Sequence, residues 1–354
     1  MKCVSVVGAR PQFIKASPLT LAIRKQNRDV LIHTGQHYDH GMSDVFFQDL
    51  GIPMPEYHLG IGSGSHGVQT GAMLKAIEEV LEKERPDVVL VYGDTNSTLA
   101  AALAAAKLHI PVAHVEAGLR SFNRAMPEEI NRVMTDHLST WLFTPSTLSR
   151  DNLRREGIEH GVHVVGDIMY DALLLHRRSA EHRSDVLTRL ELSPRSYYAA
   201  TIHRAENTDL PDRLRAIFKA LQVLAKPVIV PLHPRTKKKI EEYMIHVGPN
   251  VRCIEPLGYL DMVRFQEHAA CVLTDSGGVQ KEAYYLRVPC VTLRTETEWV
   301  ETVTAGWNVV CGSSVEAILN AVEKMESCSA SQSNLYGDGH AAERIVSILS
   351  ACRE

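Results

Sequence analysis

Side chains able to grip a diphosphate and to move protons recur at the ends of apolar runs in this chain. CVSVVG (3–8) leads into GARPQFIK, which carries Arg10 and Lys15. DVVLVYGD ends on Asp94, in GDTNST, and PVAHVEAG carries Glu116, in HVEAGLR. MPEEINR follows at once with Glu128, Glu129 and Arg132. Further on, TIHRAEN brings His203, Arg204 and Glu206, and LHPR brings His233 and Arg235. LTDSGGVQKEA (273–283) brings Ser276, Gly277, Gly278 and Glu282, and LRTETEW brings Arg294, Glu296 and Glu298.

Glycines that open a helix let backbone N–H groups approach a diphosphate, whose charge the helix dipole favours. Glu282 falls about a turn and a half into that helix, where a carboxylate accepts from ribose or sugar hydroxyls. Each motif alone has a plainer reading. SGG serves as a helix cap, Asp94 as an N-cap, and Glu116 as a salt-bridge partner of Arg10, Arg120 or Lys15. His203 and His233 read as core histidines, and PEEINR as a solvated helix face. The coincidence of reactive groups at nearly every strand end favours a nucleotide-type ligand. No GxGxxG follows the first strand, so a dinucleotide cofactor is not expected, and no P-loop lysine motif occurs either. His37 and His40, in GQHYDH, lack a third ligand at metal-binding spacing, so no metal is expected.

The elements that must carry these groups alternate. Apolar runs at 3–8, 29–35, 87–94, 111–118, 141–146 and 162–167 are separated by amphipathic stretches such as 67–84 and 127–139. The runs are apolar throughout, as strands of a parallel sheet covered on both faces are. The pattern restarts with runs at 196–203, 226–233, 251–255, 270–277, 288–294 and 307–312, with an amphipathic helix over 213–225. Ser313 to Glu316 predicts a capping box. The fold expected is α/β, two Rossmann-like doubly wound domains facing across a cleft: 1–168 and 169–339, with a final helix over 340–354. Such sheets bind ligands at the carboxyl ends of their strands.

The 354 residues exceed one typical core, and 45% hydrophobic and 23% charged residues are ordinary for a globular protein. A net charge of −4 argues against nucleic-acid binding. No run approaches the length of a membrane span, and the N-terminus reads as a first strand rather than a signal peptide. The seven cysteines, Cys3, Cys253, Cys271, Cys290, Cys311, Cys328 and Cys352, form no CxxC and predict reduced thiols in a cytoplasmic protein.

GARPQFIK, TGQH, VYGDTNST, HVEAGLRS, MPEEINR, the HR of TIHRAEN, LHPR and LTDSGGVQKEA, in this order, resemble the non-hydrolysing UDP-N-acetylglucosamine 2-epimerases over essentially the whole chain. The resemblance implies a GT-B-like fold, the last helix returning to the first domain, a homodimer, and no cofactor. It implies elimination of UDP to a 2-acetamidoglucal and re-addition with the proton on the other face of C2. Carried over by position, Asp94, Glu116, Glu128 and His203 match the catalytic set. Arg10, Lys15, Gln69, Arg132, Arg204, His233, Ser276, Gly277, Gly278 and Glu282 match binding positions. Many members are also activated by UDP-N-acetylglucosamine at a second site, here near Gln36 and His37.

Three segments depart from the common family form: GARPQ for GTRPE, TEWVE for TERPE with Trp299 in place of a binding arginine, and a shortened SFNRAMPEE loop. They resemble a branch acting on UDP-2,3-diacetamido-2,3-dideoxy-glucuronate, a lipopolysaccharide precursor. A GT-B glycosyltransferase, a hydrolysing epimerase and a non-catalytic nucleotide-sugar sensor are the competing readings. The first and last have no use for the Asp94, Glu116 and Glu128 set.

Overall fold

The computed structural model describes residues 1–36, 47, 50–328 and 334–351. His37, His40 and Cys352 lie outside the described residues. The chain divides into two compact units, Met1–Leu175 with Asn334–Glu354, and His176–Ser333.

In the first unit seven described strands form one parallel sheet: β1 (Lys2–Val7), β2 (Arg28–His33), β3 (Tyr57–His58), β4 (Val88–Tyr92), β5 (Val112–Val115), β6 (Trp141–Thr144) and β7 (Val162–Val164). Their order is β3-β2-β1-β4-β5-β6-β7. The second unit holds β8 (Tyr198–Thr201), β9 (Val228–Pro231), β10 (Val251–Ile254), β11 (Cys271–Thr274), β12 (Cys290–Thr292) and β13 (Asn308–Val310), in the order β10-β9-β8-β11-β12-β13. Both are doubly wound, Rossmann-like sheets, as expected. β4 reads VVLVY and is buried at every residue, because helices cover both faces of the sheet.

The strand order reverses between β1 and β4 in the first sheet and between β8 and β11 in the second. At such a switch point the two following loops diverge to opposite faces and leave a crevice at the carboxyl ends. The loops there are Gly8–Arg10 and Gly93–Asp94 in one unit, and His203–Arg204 and Asp275–Gly278 in the other. Four of the reactive strand ends therefore flank the crevice of their own sheet.

Helices start where the local chemistry directs. Pro127 opens the helix Pro127–Leu138 at a position that needs no N–H. The capping box expected at Ser313 is displaced by one residue. Ser314 is the N-cap of the helix Val315–Glu326, and its hydroxyl accepts from the Ala317 amide at 3.3 Å. Glu316 then falls at the second helical position rather than the third, so it cannot close the box. The last helix, Ala341–Ala351, packs on the helix Arg10–Ile23. Its N-terminal amide at Ala342 donates to the buried Asp171 at 2.8 Å. No helix among the described residues is long and apolar enough to cross a membrane.

Candidate active site

In the first unit the loops after β1, β4 and β5 bring their charges together. Lys15 pairs with Glu116, and Arg132 pairs with Asp94. Glu116 is buried at 8% exposure and Lys15 mostly so, so the plain reading of Glu116 as a salt-bridge partner selects Lys15. Arg120 is committed elsewhere, to Asp136 and Glu156 at 2.7 Å each. Glu116 also has φ +73°, a conformation that costs a non-glycine residue about 1–3 kcal/mol and persists only where surrounding contacts enforce it. Gly93 packs against this pair: a Cβ there would lie 3.1 Å from Lys15 Nζ and 3.4 Å from Glu116 Oε2, and its φ is +63°. A side chain at Gly93 would thus displace the charges as well as strain the turn.

Asp94 is not the N-cap that follows β4. That role belongs to Thr95, whose hydroxyl accepts from Thr98 N at 3.3 Å. The Asp94 carboxylate is left to Arg132, while Asn131 donates to the Asp94 carbonyl at 3.0 Å. Gln69 is buried in a chain of amides, accepting from Asn96 at 2.8 Å and donating to Gly62 O at 2.9 Å. Gln12 explains the GARPQ form. Its Oε1 accepts from the Gly8 and Ala9 amides at 2.8 and 3.1 Å, and its Nε2 donates to Tyr92 O at 2.8 Å. An amide both accepts and donates, and so ties the β1 loop to the end of β4.

The adjacent glutamates of PEEINR differ sharply. Glu129 is buried and accepts from the Ser121 and Phe122 amides at 2.9 Å each. Glu128, one residue and about 100° of helix away, is exposed and available for chemistry. Arg10 stands half-buried in the first turn of its helix.

In the second unit, β8 and β11 lie side by side and their loops are stitched by Asp275. This fully buried carboxylate accepts from the His203 amide at 3.1 Å, the Arg204 amide at 3.1 Å and Asn207 Nδ2 at 3.0 Å. His203 is thereby held beside the Ser276–Gly278 turn, its Nδ1 3.5 Å from Asp275 Oδ1. Burial lowers the His203 pKa from its ordinary value, and the Asp275 charge opposes that shift. The His233 ring lies 6.3 Å from that of His203, and its Nδ1 accepts from Arg235 N at 3.2 Å. Ser276 is the N-cap of the helix Gly277–Tyr285, yet its hydroxyl makes no capping bond, which weakens the plain reading of SGG as a cap. Glu282 is buried and accepts from Gln266 Nε2 at 2.8 Å. Trp299 is 5% exposed and lies beneath Lys281, Nζ to ring 4.0 Å.

Gln36, by contrast, accepts from the Ser97 amide at 3.0 Å, and its expected companion His37 is outside the described residues. Asp275, Gln12, His114 and Asp136 carry roles that their places in the sequence do not announce. The available signal for His114 is its place two residues before Glu116, on the strand that leads into it.

A family model described as UDP-N-acetylglucosamine 2-epimerase matches residues 21–350. A relative from Methanococcus maripaludis, named as a UDP-N-acetylglucosamine 2-epimerase homolog, is 53% identical over 354 residues, 99% of each chain. The UDP-2,3-diacetamido-2,3-dideoxy-D-glucuronate 2-epimerase of Pseudomonas aeruginosa is 48% identical over 359 residues, again 99% of each chain. The crystal structure of Methanocaldococcus jannaschii UDP-GlcNAc 2-epimerase, in complex with UDP-GlcNAc and UDP, matches with a TM-score of 0.92 at 47% identity, covering 99% of this chain and 100% of that one. On these similarities and this geometry, the chain belongs to the UDP-N-acetylglucosamine 2-epimerase family.

Proposed function

We propose that this protein is a non-hydrolysing UDP-N-acetylglucosamine 2-epimerase, an isomerase interconverting UDP-N-acetylglucosamine and UDP-N-acetylmannosamine. The observation that carries the reading is the acid pair beside the first switch point: Asp94 and Glu116 follow the adjacent strands β4 and β5, each against its own cation.

The C2 proton of the sugar is not adjacent to a carbonyl, so departure of UDP from C1 leads. Positive charge growing at C1 then acidifies C2–H. One carboxylate of the Asp94, Glu116 and Glu128 set takes that proton as the C1–O bond breaks, leaving a 2-acetamidoglucal and UDP. Re-addition of UDP with protonation of the opposite face of C2 completes the inversion. His203, Arg204 and the N–H groups of Gly277 and Gly278 receive the charge that develops on the leaving diphosphate. Arg10, Lys15, Gln69, Arg132 and His233 complete the binding set, Ser276 supports the diphosphate turn, and Glu282 holds the ribose. The enzyme works as a cytoplasmic homodimer supplying polysaccharide precursors. Its six described cysteines stand as free thiols, in keeping with that compartment.

A second reading keeps the reaction and changes the sugar to UDP-2,3-diacetamido-2,3-dideoxy-glucuronate. The Pseudomonas relative at 48% identity and the Trp299 substitution favour it. Glu116→Gln tests the acid/base role. It is expected to bind UDP within about twofold of wild type and to lose turnover by at least about 10²-fold, the usual worth of a positioned acid or base. Retained turnover would remove Glu116 from the mechanism.

A further inference from the structure

We propose that the buried, paired residues His114 and Asp136 are positioning residues for the two carboxylate-bearing turns, His114 pinning the Gly93 carbonyl before Asp94 and Asp136 pinning the Gly118 amide after Glu116. This role rests on the epimerase reading. Both side chains are fully buried, and neither reaches the crevice with a reactive atom. His114 Nε2 lies 2.8 Å from the Gly93 carbonyl, which can only accept, so this nitrogen donates. His114 Nδ1 lies 2.7 Å from Asp136 Oδ1. The other oxygen, Asp136 Oδ2, already accepts from Arg120 at 2.7 Å and from the Gly118 amide at 3.2 Å. Arg120 is itself fixed by Glu156 through two bonds of 2.7 Å.

The connections run directly to the acids. Gly93 immediately precedes Asp94, and its amide donates to Val115 O at 3.0 Å. With its carbonyl held by His114, the Gly93 residue is pinned at both polar groups. On the other side, Asp136 fixes Gly118 while the Glu116 and Ala117 amides both donate to Phe143 O at 3.1 Å. The strained Glu116 backbone is thus clamped from before and after, and the same Asp136 side chain reaches the Gly93 turn through His114. Errors of 1 Å at reacting groups cost about 10²-fold in rate, so a couple that sets both turns governs turnover without touching substrate.

Two isosteric variants separate this role from simple support. In His114→Asn the amide nitrogen stands at the Nδ1 position, keeping the Asp136 bond and losing the one to Gly93. In His114→Gln it stands at the Nε2 position, keeping Gly93 and losing Asp136. Leaving a buried carboxylate oxygen without its donor destabilises more than leaving a carbonyl so. The couple therefore predicts opposite orders. His114→Gln has the lower Tm but keeps kcat within about fivefold, whereas His114→Asn is the more stable variant and loses kcat by about 30-fold or more. UDP Kd, measured by calorimetry, stays within twofold in both. If kcat instead follows Tm, or if His114→Asn retains full kcat, the positioning role is overturned. Should the glutamine variant not fold, the asparagine variant alone decides by its kcat at unchanged UDP Kd. Wild type inactive on both candidate sugars would remove the epimerase reading itself, and this role with it; that result is distinct from an active wild type with both variants unimpaired.

Discussion

The two glycines of the SGG turn should respond to alanine in different ways. A Cβ at Gly277 would lie 2.3 Å from Glu298 Oε1 and 3.3 Å from Trp299 Nε1, so alanine there must displace the carboxylate that Arg294 holds at 2.9 Å. Disturbing that half-buried bond costs about 1–3 kcal/mol, or several degrees in Tm at about 2–4 °C per kcal/mol for a unit of this size. Around Gly278, no heavy atom of the described residues beyond its chain neighbours and its own helix backbone lies within 4 Å of the Cβ position, and its φ is not in the left-handed region. Neither packing nor backbone conformation asks for glycine there, whereas the proposed seat of the diphosphate does. Gly278→Ala should fold as well as wild type, and its higher helix propensity adds at most about 1 kcal/mol of stability. A methyl group between the turn and a diphosphate removes one charge-assisted bond, worth about 1.5–3 kcal/mol. UDP should then bind roughly 10- to 150-fold more weakly. Isothermal calorimetry with UDP and thermal unfolding of both variants make the comparison. Wild-type UDP affinity in Gly278→Ala would refute the placement of the diphosphate on this turn.

Burial raises the Asp171 carboxyl to about 6, against the opposing pull of the Ala342 and Ala341 amides. An acid whose folded value is raised contributes stability that is fully present below about pH 4 and lost as pH rises through about 6. The shift from 3.8 is worth on the order of 3 kcal/mol. Asp171→Asn should erase that slope, so the stability difference between the two proteins in urea unfolding should change by about that amount between pH 4 and 7 and stay flat above. Glu129→Gln should lower Tm by several degrees, because an NH2 group replaces an oxygen that accepts from the 121–122 turn; an unchanged Tm would show that the turn is held otherwise.

The strands were legible because parallel strands covered on both faces are apolar at every position, as in VVLVY. The site was legible in part because switch-point loops follow directly on those strands in sequence. The two-residue β3 is not legible in the sequence, since Tyr57–His58 carries no periodicity of its own. The N-cap at Ser314 was misplaced because two serines stand side by side. Pairings were the least legible part. Arg10, Arg120 and Lys15 were equal candidates for Glu116 on sequence alone, and only the packing of His114, Asp136 and Glu156 commits Arg120 elsewhere. Likewise Glu128 and Glu129 are identical in type. Which one turns inward depends on the rotation of their helix against the 121–122 turn.

Epimerisation by this route requires exchange of the C2 proton through reversible loss of UDP. Proton NMR in D2O, with wild-type enzyme and UDP-N-acetylglucosamine and in parallel the diacetamido uronate, tests it most directly. Deuterium entering C2 together with a new manno anomeric signal is the predicted result, and the faster substrate identifies the sugar. UDP bound with no exchange into either sugar would contradict the account and leave the acids at the strand ends as structural charges.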